Sequence, residues 1–286
     1  MTTVQDLGRP GYAHLGISAS GAADALSLRA GNLLVGNPEG ASALEMTLAG
    51  GTFEFKEGTF VALTGADFEA SIPLWTPVWV KPGQQVRFGH ARSGARCYLC
   101  VSGGIDVPLA LGSASTHLLT GLGGFEGRAL KRGDVLALGE PHRAPAGRRV
   151  PAPPAPGGII HVTSPVSARA LCRETWEVKE DSDRMGLRLR GAALASHTGH
   201  LLTEGVPLGA VQVPPDGQPI ILFVEHQTTG GYPKIANVIS ADFHALGQLR
   251  PRDRVRFEQV SLDAALTLLD AQEDWLRSLA YHGELT

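Results

Sequence analysis

The sequence predicts a mainly β protein of two domains with a few helices. Three observations carry that prediction: short apolar runs separated by Gly, Pro and Asp, a total of 36 Gly and 19 Pro in 286 residues, and one proline-dense stretch midway along the chain. Short apolar runs bounded by turn residues are the pattern of strands, whereas helices need a longer 3.6-residue periodicity. Hydrophobic content of 43% against 19% charged residues describes a globular chain, and its length allows two sizeable cores.

Near the N-terminus, Ala22, Ala23, Leu26, Ala30, Leu33 and Leu34 recur near helical spacing, with Ser20 or Asp24 able to cap the start, so a helix is expected over residues 22–35. Short strands follow at 52–55, 60–63, 85–88, 97–101 and 135–138, in the even spacing of a barrel or sandwich. Between Gly139 and Gly158 the prolines supply no ladder N–H and favour an extended connector. The expected division is an N-terminal β domain over 1–140, a Pro-rich connector over 141–158 and a C-terminal β domain with a terminal helix over 159–286. Strands of that second domain are expected at 159–162, 187–189, 219–224 and 255–257. Leu262, Ala265, Leu266, Leu269, Leu276 and Leu279 mark an amphipathic helix over 261–281.

A net charge of −3 with scattered basic residues argues against a nucleic-acid partner. No apolar stretch is long enough to span a bilayer, and polar Thr2, Thr3, Gln5 and Asp6 stand where a signal peptide needs an apolar region, so the expectation is a cytoplasmic protein with no membrane partner. Three cysteines, an odd number, make no disulfide framework. Cys97 and Cys100 form a C-x-x-C on an expected strand, where their side chains point to opposite faces; they are expected to be buried structural thiols. His197 and His200 flank Thr198-Gly199, a turn, and no metal site is expected. A G-x-x-x-x-G-K-[ST] motif is absent, and Ser102-Gly103-Gly104 is not a nucleophile elbow.

Four polar groupings can carry chemistry. The run Glu225-His226-Gln227-Thr228-Thr229-Gly230-Gly231-Tyr232-Pro233-Lys234 follows the apolar strand Ile220–Val224. Its Gly pair lets backbone N–H groups face one point, and Gln227, Thr228, Thr229 and Tyr232 add side-chain donors, a set suited to an oxyanion, carboxylate or phosphate. The alternative is a strand-to-turn junction whose hydroxyls satisfy their own backbone. In Ser182-Asp183-Arg184-Met185-Gly186, Arg184 is a fork suited to a carboxylate, with Asp183 able to hold it, or the pair is an exposed turn. Asp67, after Thr64-Gly65-Ala66, is a general base or orienter, or a turn carboxylate. Gln5, Asp6 and Arg9 with Ser20, Gly21 and Asp24 form a further cluster, in which Arg9 binds a substrate anion or makes a surface ion pair with Asp6.

The run 225–234 resembles the signature of the allophanate hydrolase subunit 2 family, a biotin-dependent carboxyltransferase-like family. That family includes the C subunit of 5-oxoprolinase and the second half of the carboxyltransferase region of urea amidolyase. Other segments agree in the family's order: Thr3-Val4-Gln5-Asp6-Leu7-Gly8-Arg9-Pro10-Gly11, Gly16 to Asp24, Asn32 to Asn37, Thr64 to Asp67, Ser102 to Val107, Ser182 to Gly186, and Glu204-Gly205-Val206-Pro207 leading to Gln212-Val213-Pro214-Pro215. The chain departs from the pattern at Met1, which sits directly beside Thr2-Thr3, at Ala114, where an Arg is frequent, and at Glu225-His226.

The resemblance implies a pair of cyclophilin-like β-barrel domains. It implies activity within an ATP-dependent 5-oxoprolinase, a lactam hydrolase that opens 5-oxoproline to glutamate, of which this chain would be one subunit, active only with its partners. The alternatives are a component of a urea-amidolyase-like carboxyltransferase, or a non-catalytic partner that relieves inhibition of a signalling kinase. Arg184 would clamp the substrate carboxylate, Thr228, Thr229, Gly230 and Gly231 would donate to the oxyanion, and Asp67 or Asp183 would be the base; Arg9, Gln227 and Tyr232 complete the substrate contacts. ATP, with Mg, would be bound by or shared with a partner. Biotin would not be attached here, because Met occurs only at 1, 46 and 185 and no Met-Lys-Met acceptor exists. The implied partners are a subunit 1-type companion, like the B subunit of 5-oxoprolinase, and a lactam-handling protein like its A subunit.

Overall fold

The structure, a computed structural model, describes residues 1–141, 149–153, 158–164, 168–195 and 202–280. His197, His200 and most of the Pro-rich connector lie outside the described residues. The chain forms two compact units: Met1–Arg9, Ser20–Pro153 and Glu273–Thr286 make the first, Pro10–Ala19 and Pro154–Gln272 the second.

In the first unit the strands are β1 (Thr2–Gln5), β2 (Ala43–Thr47), β3 (Thr52–Glu54), β4 (Thr59–Gly65), β5 (Val78–Val80), β6 (Gln85–Arg87), β7 (Arg96–Val101), β8 (Ile105–Asp106) and β9 (Ala137–Leu138), with helix α1 (Ala25–Leu34) after β1. The main sheet has the order β1-β2-β7-β4-β5, antiparallel throughout, while β3 pairs β6 and β8 pairs β9. Strand β7 is buried on both faces, and its alternation sorts its side chains into two cores. Cys97, Leu99 and Val101 join Val4, Leu44 and Leu63 on one face. Tyr98 and Cys100 join Leu26, Leu28, Ala30 and Leu34 of α1 on the other. The two thiols therefore sit on opposite faces of the sheet, as the strand reading requires, and burial raises both of their pKa values.

Asp24 caps α1: its carboxylate accepts the Ser27 N–H at 2.9 Å and the Ser27 hydroxyl at 2.6 Å. The helix lies close on the sheet at Gly31, where a Cβ would come within 2.6 Å of Cys100 Sγ and 2.8 Å of Thr64 Oγ1.

In the second unit the strands are β10 (Ile159–Thr163), β11 (Thr175–Val178), β12 (Gly186–Arg190), β13 (Glu204–Gly205), β14 (Ala210–Gln212), β15 (Ile220–Leu222), β16 (Thr229–Gly230), β17 (Lys234–Val238) and β18 (Arg254–Gln259). Helices α2 (Arg169–Arg173) and α3 (Phe243–Gln248) interrupt them, and α4 (Leu262–Ala280) follows. Seven strands close a barrel in the order β10-β17-β14-β15-β12-β11-β18, sealed by the parallel pairing of β10 with β18. Strands β13 and β16 form a separate two-residue ladder.

The mainly β architecture with a barrel is thus present. Sequence reasoning passed over β11, β14 and β17, which are short and mix polar with apolar residues; pairing on both sides makes them strands. No helix among the described residues is long and apolar enough to cross a membrane.

Candidate functional site

In the second unit, two of the polar segments meet beyond the end of the β12–β15 ladder. The ladder pairs Gly186 with Leu222, and backbone bonds continue it outward: Phe223 N–H donates to Met185 O at 2.9 Å and Glu225 N–H to Arg184 O at 2.8 Å. This zippering places Arg184 against Glu225, with Arg184 Nε 2.5 Å from Glu225 Oε1 and both side chains buried. Two opposite charges out of water hold each other in the charged form, and neither is cheap to remove alone.

Asp183 does not hold the guanidinium, contrary to the sequence expectation. It is exposed, and its carboxylate accepts the Met185 N–H at 2.8 Å and the Gly186 N–H at 3.1 Å, closing an Asx turn. Glu225, which stood out in the sequence as a departure from the family pattern, is the residue that orients Arg184.

Beyond Glu225 the chain turns through His226 and Gln227 into β16. The His226 Nδ1–H donates to the Gln227 carbonyl at 2.6 Å, and burial of the ring lowers its pKa, so the imidazole is neutral at pH 7 with Nε2 as acceptor. Strand β16 pairs Gly230 with Glu204 and Thr229 with Gly205, and Val206 N–H donates to Thr228 O at 3.1 Å. Hydrogen-bonded and non-bonded pairs alternate in an antiparallel ladder, so with Val206 and Thr228 a bonded pair, the Thr229 N–H points out of the ladder. Thr229, Gly231 and Tyr232 are exposed, as is Gln227.

Neither Gly230 nor Gly231 adopts a left-handed conformation. Gly230 is required instead by proximity: a Cβ there would lie 2.7 Å from Gln212 Nε2. Gln227 Nε2 reaches Gln212 Oε1 at 3.4 Å. Lys234 Nζ lies 3.2 Å from Glu204 Oε1 and 3.4 Å from the Gly205 carbonyl, so it is the cation at this ladder. Sequence reasoning did not select Gln212 or Lys234 as site residues, although both stand inside the quoted segments.

Arg9 and Asp67 belong to the first unit. Arg9 is 1% exposed, so the surface ion pair with Asp6 is not what forms. Its Nε donates to the Ala110 carbonyl at 3.3 Å and its Nη2 to the Ser115 carbonyl. Asp6 accepts from Gly8 N–H, Ala114 N–H and the hydroxyls of Ser113 and Ser115. These buried groups pin the loop 110–116 against the segment that follows β1, and Ser20 Oγ and Gln5 Nε2 both reach the Thr116 carbonyl. Asp67 is a turn carboxylate: it accepts the Glu69 N–H at 2.8 Å and lies 3.8 Å from Arg92 Nη1, with its side chain 41% exposed.

Comparison with known proteins agrees with this geometry. The family model described as the carboxyltransferase domain, subdomain A and B, matches residues 15–259. The chain is 43% identical to the C subunit of 5-oxoprolinase from Escherichia coli, over 98% of this chain and 95% of that protein. It is 41% identical to the protein of the same name from Haemophilus influenzae, over 96% of this chain and 93% of the other. Among solved structures, the urea amidolyase of K. lactis superposes with a TM-score of 0.86 at 31% identity, over 97% of this chain and 19% of that one.

Proposed function

The chain belongs to the carboxyltransferase domain family, subdomains A and B, and on that ground we propose that it is one subunit of an ATP-dependent 5-oxoprolinase that cleaves 5-oxoproline to glutamate. The observation that carries this reading is the end-to-end match, at 43% identity, to a protein named for that activity. The sequence has no phosphate-cradling motif, so ATP with Mg is bound by or shared with a partner. Those partners are a companion like the B subunit of 5-oxoprolinase and a lactam-handling protein like its A subunit, and the assembly works in the cytoplasm.

Lactam resonance makes direct attack by water slow. Transfer of the γ-phosphoryl group to the amide oxygen supplies a leaving group and an electrophilic carbon; water then adds to that carbon, and the ring C–N bond breaks to leave the amine and carboxylate of glutamate. Such a site needs donors for the developing oxyanion and a cation for the substrate carboxylate. The outward Thr229 N–H, with Thr228, Gly230, Gly231 and the exposed Tyr232, supports the first role. Arg184 is already matched by Glu225, so Lys234, whose partner Glu204 is largely exposed, supports the second. Exposed Asp183 supports the role of base.

A second reading is carboxyl transfer of the urea-amidolyase kind, favoured by the 0.86 TM-score to that enzyme. It requires biotin carried by a partner. The test is glutamate release from 5-oxoproline, with and without ATP, by the chain alone and with its companion subunits. The expected result is ATP-dependent release only in the mixture, reduced about tenfold or more by Thr229→Val or Lys234→Met. Absence of release in every mixture, with carboxylation of urea by a biotin-bearing partner, would establish the second reading instead.

A further inference from the structure

Gln212 ends β14 with its side chain 1% exposed, and its Nε2 is buried without a hydrogen-bond partner. A donor stranded in this way costs free energy that a folded protein rarely leaves unrecovered. Asn237 on β17 carries the complementary orphan, a buried Oδ1 acceptor without a partner. The two share a face of the barrel: Asn237 pairs with Ala210, and Ala210 and Gln212 are two residues apart on β14. That face lies under the β13–β16 ladder, since Ala210 packs with Val206 and Leu222, and Gln212 Nε2 approaches Gly230. One orphan donates and the other accepts, and Gly230 supplies the closeness that any side chain would remove.

We propose that Gln212 and Asn237 read the edge of a cis secondary amide, with Gln212 Nε2–H donating to the ligand carbonyl oxygen and Asn237 Oδ1 accepting the ligand N–H. A cis amide presents its N–H and C=O on one edge only when held in a small ring, so the ligand class is a lactam or a cyclic urea. The inference deepens the lactam-hydrolysis reading and rests on it for the choice between these two sources. It makes Gln212 a specificity residue, because a site built around a polar edge rejects analogues that lack it.

The experiment is ligand-observed NMR titration of the full chain, alone and with its companion subunits, using 5-oxoproline, 2-pyrrolidinone, 2-imidazolidinone and N-methyl-2-pyrrolidinone. The N–H compounds are expected to bind, and N-methyl-2-pyrrolidinone about tenfold or more weakly than 2-pyrrolidinone. Preference for 5-oxoproline identifies the lactam as the source; preference for 2-imidazolidinone identifies a ureide. Gln212→Met removes the donor at similar volume and is expected to weaken binding about tenfold or more without lowering the thermal midpoint, since a donor unpaired in the free protein contributes nothing to its stability. Gly230→Ala, which crowds the amide from the other side, is expected to weaken binding comparably. A merely structural glutamine would lose stability together with binding, and that outcome overturns the proposal. Equal binding by wild type and Gln212→Met, or none by wild type in either form, also overturns it. Glutamate release is scored separately. Release unaffected by Gln212→Met sinks the specificity role and leaves the lactam-hydrolysis reading standing; Gln212-dependent lactam binding without any release does the reverse.

Discussion

At the scale of single residues, the pairing of Arg184 with Glu225 governs the candidate site more than any individual donor does. Both groups are charged and under a tenth exposed, so their worth lies in each other's presence. Arg184→Met leaves Glu225 buried without its counter-charge, with an expected loss of about 3–5 kcal/mol in denaturant unfolding. Glu225→Leu takes the counter-charge from Arg184 in the same way. The double variant should be less destabilised than either single one, because it removes both desolvated charges together, and a double-mutant cycle measures the difference. Additive losses would mean that the two side chains do not depend on one another. The same reasoning explains why Arg184 alone is a poor probe of catalysis, whereas Thr229 and Lys234 can be changed without emptying a buried partner.

Among the elements, α1 shows how a glycine inside a helix can be kept by packing. Alanine at position 31 would gain about 1 kcal/mol of helix propensity. Its Cβ would also meet Cys100 Sγ at 2.6 Å and Thr64 Oγ1 at 2.8 Å, and Thr64 is held by its hydrogen bond to the Ser27 carbonyl at 2.6 Å. Overpacking of this kind costs about 1–3 kcal/mol, so the clash wins and Gly31→Ala is expected to destabilise by up to about 2 kcal/mol in urea unfolding. Adding Cys100→Ala removes one of the two obstacles and should return part of that loss relative to Cys100→Ala alone. If Gly31→Ala stabilises instead, the helix has room to move off the sheet.

Over the whole molecule, the second unit joins a closed barrel to a two-residue ladder, and the two should differ in local stability. Every barrel strand has a neighbour on each side, while β13 and β16 have only each other among the described residues. Native-state hydrogen exchange should find Ile160, Val211 and Ile221 exchanging only near global unfolding, and Val206 and Gly230 exchanging through a smaller, local opening. Equal protection in the two sets would show that the ladder is part of the barrel's cooperative unit. Much of this organisation was legible in the sequence. Periodicity located the strands at 60–63, 97–101 and 255–257 and the helices at both ends of the chain, because those signals lie in local burial patterns. Asp24 as a cap and the opposite facing of Cys97 and Cys100 follow from local geometry in the same way. Short strands such as β11, β14 and β17 were not legible, since their residues become strand only by pairing with partners distant in sequence. The quoted motifs marked the loops 182–186 and 225–234, but which charge answers Arg184, and why position 230 is glycine, depended on contacts of residues 41 and 18 positions apart in the chain. Local pattern in the sequence was enough to set the β class and the segments that carry polar chemistry. Three things waited on the folded chain: that Glu225 rather than Asp183 orients the guanidinium, that Arg9 is buried on backbone carbonyls, and that Gln212 is left with an unpaired donor. Pairing and burial are set by strand register, and spacing along the chain does not encode it.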